Sequence, residues 1–183
     1  ILGLGIFGPT TVFPQMKQKG ILKRLSTTTL KTRQYFIANA LSSSVVGILS
    51  VAFLFIAATL FFDLNMNGDY LSLAVIVILG TITLFGIGLA VGGWAKNENQ
   101  AAPLSQIIVF PMMFLSGVFF PRYAMPEILQ KVSQFFPLTP VVDGVRLIVT
   151  EGNTIFNLGP QVALLSAWIL VIYFIAFRVF RWE

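Results

Sequence analysis

Long stretches without a charged side chain constrain this chain more than any other feature. No Asp, Glu, Lys or Arg occurs in 1–14, 34–62, 71–94 or 103–121, and 159–180 carries only Arg178, near its end. A helix rises about 1.5 Å per residue, so about 20 apolar residues cross a ~30 Å hydrocarbon core. Each of the last four runs is read as a transmembrane helix. The 1–14 run reads as the end of an earlier span. The chain is 56% hydrophobic and 10% charged, against about one-quarter charged in a soluble domain. There is too little polar surface here to face water all round. The expected fold class is an all-α integral membrane protein, a helical bundle forming one transmembrane domain over 1–183.

Loop charge orients the bundle, because Lys and Arg accumulate on the cytoplasmic side. Residues 15–33 hold Lys17, Lys19, Lys23, Arg24, Lys31 and Arg33 and no acid, so this loop faces the cytoplasm. "DLNMNGD" has two acids and no base and faces outside. "KNENQ" then returns inside, the charge-balanced segment before the last span lies outside, and "RVFRWE" ends inside. Tyr35, Trp94 and Trp182 fall at cytoplasmic span ends, and Tyr70 and Tyr123 at outer ends, as interfacial aromatics do. The net charge of +5 therefore marks membrane topology, and no nucleic-acid partner is expected.

Several chemistries are excluded. The chain has no Cys and no His, which removes thiolate ligands, the commonest metal ligand and the commonest general base. No metal site and no catalytic residue is expected. No ionisable residue sits mid-span, where charge marks ion and proton paths. Ser42, Ser43 and Ser44 have no base nearby to make a nucleophile, so they read as helix-to-helix hydrogen bonders. There is no G-x-x-x-x-G-K-[ST], so the chain has no phosphate loop of its own. Gly88 and Gly92 form a G-x-x-x-G that lets another helix approach closely, within the chain in preference to between subunits.

The segment "KQKGILKRLSTTTLKTR" needs an explanation beyond anchoring. Ile21, Leu22 and Leu25 form one apolar stripe at helical spacing, with Lys17, Lys19 and Lys23 elsewhere. A short amphipathic helix over 17–28 is too brief to stand alone and needs membrane lipid or a protein groove to pack on. Before the last span, "EILQKVSQFF" puts Ile128, Leu129, Val132, Phe135 and Phe136 on one face, and Pro137 and Pro140 force a turn. A helical hairpin over 122–151 follows, half in lipid, with Asp143 and Arg146 placed for a local i,i+3 ion pair.

Two of these stretches carry a resemblance. Gly20, Leu22 and Leu25 match a Gly-Thr-Leu-x-x-Leu loop, with Ile21 in place of the Thr. "FLSGVFFPRYAMPEILQKVSQFFPLTPVVDGVRLI" matches Ser-Gly-x-x-Phe-Pro, Met-Pro, Pro-Leu-Thr-Pro and Asp-Gly-x-Arg in register. Both resemble the permease subunits of type-2 ATP-binding-cassette (ABC) exporters of the multidrug-resistance kind. The family's usual six spans would make this chain the end of the second and the third to sixth. The resemblance implies a multi-pass protein of a bacterial plasma (inner) membrane that exports a hydrophobic or amphipathic substrate. It implies a separate ATPase subunit carrying ATP and Mg, and a second permease subunit. It assigns ATPase coupling to Lys17, Gly20, Ile21, Leu22 and Leu25. It assigns an outer gate to Phe120, Pro121, Met125, Pro126, Pro137, Leu138, Thr139, Pro140, Asp143 and Arg146. The alternative is a membrane scaffold that transports nothing and holds lipid with its basic loop.

Overall fold

A computed structural model describes residues 2–21, 32–62, 67–95, 97–120 and 122–179. Among them the regular structure is all helical. A π-helical turn, Gly3–Phe7, leads into α1 (Gly8–Gln18). Then come α2 (Thr32–Phe62), α3 (Tyr70–Trp94), α4 (Glu98–Leu115), α5 (Glu127–Ser133), α6 (Thr139–Glu151) and α7 (Gly159–Val179).

Helix α3 is the pivot, with α1, α2, α6 and α7 all packed on it. It starts at Asp69, whose carboxylate accepts from the Leu71 and Ser72 amides at 3.2 and 3.3 Å. Such a cap satisfies amides that have no helical partner. Of its best membrane-crossing window 61% is buried, against 11% for α2 and 17% for α7. α3 is largely enclosed by the rest of the chain, whereas most of α2 is left uncovered by it. Glycines let its neighbours in. A Cβ on Gly88 would lie 2.6 Å from the Ile6 carbonyl oxygen, and one on Gly92 2.8 Å from that of Pro9. Within this chain the G-x-x-x-G thus lies against the backbone of the first helix.

Among the described residues, three helices are long and apolar enough to cross a membrane: 38–61, 70–94 and 155–176. The span expected over 103–121 differs. Its helix is α4, which begins at Glu98, capped by Asn97 onto the Gln100 amide at 2.9 Å, and ends at Leu115. Its first turn is Glu-Asn-Gln and its apolar part stops before Ser116, so it falls short of a full apolar crossing. The serine reading also changes. The Ser44 hydroxyl donates to the Ala40 carbonyl of its own helix at 2.8 Å, back-bonding one turn down instead of bridging to a neighbour.

Between α4 and α7 the chain forms a helical hairpin, the one expected on the outer side. The helices α5 and α6 meet where the Thr139 hydroxyl donates to the Ser133 carbonyl at 2.6 Å. Pro140 opens α6 and Gly152 closes it at φ +71°, its amide bonded to Ile148 at 3.2 Å. That left-handed cap suits glycine. Gly144 lies against Ile76, and Val141 against Gly80, which seats α6 on α3.

Candidate functional site

The sequence-selected residues separate to the two ends of the bundle. At one end, expected to face outward, the hydroxyl of Ser116 donates back to the Met112 carbonyl as α4 finishes. Gly117 follows at φ +84°, a conformation a side chain resists. Its missing Cβ also leaves room for the Arg122 stem, which a methyl group would meet at 3.1 Å. Phe119 and Phe120 stack on Phe114, with ring centroids 5.1 and 6.4 Å away. The chain is thereby turned so that Arg122 reaches across to α6.

There Arg122 Nη2 meets Asp143 Oδ2 at 2.8 Å, with 31% and 23% of the side chains exposed. This corrects the i,i+3 expectation. Asp143 pairs with Arg122 from the turn after α4, while Arg146, one turn along α6, is exposed. Burial pushes the Asp143 carboxyl above its ordinary range, against the pull of Arg122 and Arg146. Beside the pair lies a cavity of ≈ 240 Å³ reached by Gln134, Thr139 and Gln161. The Gln161 Oε1 is buried there with no hydrogen-bond partner.

The other outer residues scatter by role. Pro137, Leu138, Thr139 and Pro140 are buried in the hairpin bend, and Met125 is half-buried. Phe120 and Pro126 are exposed. Pro121 lies outside the described residues. The hairpin's apolar face is turned outward, with Ile128 77% and Phe135 71% exposed. Sequence reasoning missed Arg122 as a partner. Its signal was its place directly after the Phe-Pro of a turn-forming motif.

At the other end of the bundle, α1 runs without a break from the apolar 1–14 stretch into the basic segment. Lys17 and Gln18 finish α1, so they do not begin a separate helix, and the chain turns at Gly20 with φ +65°. Ile21 follows that turn half-buried. Leu22, Leu25 and the rest of the expected 17–28 helix lie outside the described residues. Lys17 Nζ donates to the Gly93 carbonyl at 2.5 Å, placing positive charge on the C-terminal end of α3, where the helix dipole favours it. Burial holds the Lys17 ammonium pKa below its ordinary value. Two residues back, Gln15 Nε2 donates to Glu98 Oε2 at 2.8 Å. The end of α1 is therefore fastened to both the end of α3 and the start of α4.

These two ends can be set beside known proteins. The profile of the family described as ABC-2 type transporter matches residues 1–150. The chain is 21% identical over 178 residues to the linearmycin resistance permease protein LnrN of Bacillus subtilis (strain 168), covering 97% of this chain and 46% of that one. It is 27% identical over 152 residues to the putative transport permease ycf38 of Porphyra purpurea, covering 82% and 52%. It is 25% identical over 147 residues to the inner membrane transport permease YadH of Escherichia coli (strain K12), covering 80% and 55%. The chain spans about half the length of the curated relatives it matches.

Proposed function

The chain belongs to the ABC-2 type transporter family, and we propose that it acts as the membrane-spanning part of a permease subunit in an ATP-driven exporter. Its membrane is the plasma (inner) membrane of a bacterium. A separate cytoplasmic ATPase subunit, carrying ATP and Mg, docks on the basic segment through Gly20, Ile21, Leu22 and Leu25. A second permease subunit completes the path. The cargo is hydrophobic or amphipathic, in keeping with spans that carry no mid-membrane charge and with a relative named for linearmycin resistance.

One observation carries the reading: the basic segment is rooted in a helix clamped to the bundle. Lys17 on Gly93 and Gln15 on Glu98 tie α1 to two other helices. A loop that only holds lipid gains nothing from such a clamp. A loop that is pushed by a partner needs it, since force on the 20–33 segment then reaches α3 and α4 as well as α1. Coupling of this kind requires the ATPase to bind two permease conformations with different affinity.

The test is purification of the protein from its native membrane in mild detergent, with mass spectrometry of what accompanies it. The expected result is a stoichiometric ATP-binding subunit that is lost in Leu22→Asp while membrane insertion is kept. Intact, folded protein with no ATPase partner would overturn the proposal and leave the scaffold reading.

A further inference from the structure

A second cavity lies between α3, α4, α5 and α7, with a volume of ≈ 680 Å³. It is an open groove, with a volume in the range of small-molecule sites. Its walls include Ile87, Ile107, Met112, Phe136 and Trp168. The Trp168 indole N–H is already committed to the Phe135 carbonyl at 2.9 Å, so the ring offers the cavity only its apolar body. Among the described residues Lys131 is the one charged side chain that lines it, standing exposed at the rim. Glu127 lies one turn away on α5, yet no carboxylate among the described residues forms an ion pair with Lys131.

These two features select for a molecule with two ends. The apolar interior favours a hydrocarbon body at about 25 cal/mol per Å² removed from water. A lone ammonium at the mouth favours an anionic head through a charge-assisted hydrogen bond. A neutral lipid tail satisfies the first feature and leaves the second unused.

We propose that this cavity binds a single-chain anionic amphiphile, with its alkyl chain against Ile107, Met112 and Trp168 and its carboxylate on Lys131. Calling that amphiphile the cargo rests on the export reading. Binding itself needs neither ATP nor a partner subunit.

Trp168 makes the site observable. The protein carrying Trp94→Phe and Trp182→Phe keeps Trp168 as the only tryptophan of residues 1–183. In nanodiscs of neutral lipid it is titrated with dibromostearic acid, whose bromines quench indole fluorescence on contact, and with the methyl ester of that acid. Saturable quenching by the acid is expected, about tenfold tighter than by the ester. Lys131→Gln should abolish that preference and Lys131→Arg should keep it. Equal quenching by acid and ester in protein that retains Lys131 overturns the proposal, as does absence of saturable quenching. A preference that survives Lys131→Gln also overturns it. Lys131 is exposed, so its substitution is not expected to disturb folding, and the acid–ester comparison needs no variant there. Failure of this titration leaves the ATPase pull-down untouched, and loss of the ATPase partner leaves the titration untouched.

Discussion

Breaking the Arg122–Asp143 pair tests whether the outer hairpin is held to the end of α4 by charge. At 2.8 Å and an effective dielectric constant near 20, the direct attraction is at most about 6 kcal/mol. Desolvation removes most of it, because burial outweighs both arginines in setting the Asp143 carboxyl's protonation. The pair as a whole therefore adds little. Removing one partner is a different matter, because it strands the other charge in a site only 23–31% exposed. A hydrogen bond to a charged group costs about 1.5–3 kcal/mol to break. Arg122→Ala and Asp143→Ala should each destabilise by about 2 kcal/mol on this basis, or roughly 4–8 °C in melting temperature for a chain of this size. The double variant should fall by less than either single one, because no charge is stranded. The assay is thermal unfolding in detergent, followed by tryptophan fluorescence, for all four proteins. Single losses that simply add in the double variant would refute the pairing. So would single variants that melt with the parent.

Three further outcomes follow from the same geometry. Gly88→Val drives a side chain into the Ile6 carbonyl, at 2.6 Å from the first added carbon. It should cost at least about 1–3 kcal/mol, while Gly3→Ala, with nothing within 4 Å, should melt within ~1 °C of the parent. Gly117→Ala forces a methyl group onto a φ of +84° and against Arg122 and should destabilise by more than ~1 kcal/mol, visible in the same melts. The Asp143 carboxyl sits above its ordinary 3.8, so its titration contributes stability that is full below that value and lost as pH rises through the raised one. The parent should therefore gain on Asp143→Asn between neutral pH and about pH 4, and a parent that loses ground on acidification would contradict the burial argument.

The three long apolar helices were legible because charge exclusion is a strong and local signal. Which span would be buried was not legible from hydropathy. α2 and α3 have the same mean hydropathy of 2.5, yet 11% of one window and 61% of the other is buried. Lipid and protein interior are equally apolar, so the scale cannot separate them. Glycine could, since Gly80, Gly86, Gly88 and Gly92 mark faces where neighbours come close. The start of α4 was also readable in principle: Asn97 is a capping residue and Glu98 an acid in the first turn. Counting those polar residues as loop displaced the boundary. The partner of Asp143 was not readable, because Arg122 reaches it only through the left-handed turn at Gly117. The Arg146 alternative looked local and sufficient.

Helix α3 gives the two ends of the molecule a common part. Its outer half receives Val141 of α6 against Gly80, with a contact that would be 2.9 Å from a Cβ. Its last turn offers the Gly93 carbonyl to Lys17. Between them, Gly88 and Gly92 hold it against the backbone of the first helix. Packing this close leaves little slack, and interiors at such density pass displacement on instead of absorbing it. Two discrete arrangements are then easier to reach than a graded deformation. On the export reading proposed above, a pull on the basic segment would act on α1, whose Ile6 and Pro9 backbone is packed closely over Gly88 and Gly92. The outer hairpin rides on the same helix through Val141 and Gly144. The close glycine contacts thus set the Lys17 clamp and the α5–α6 hairpin against one and the same helix.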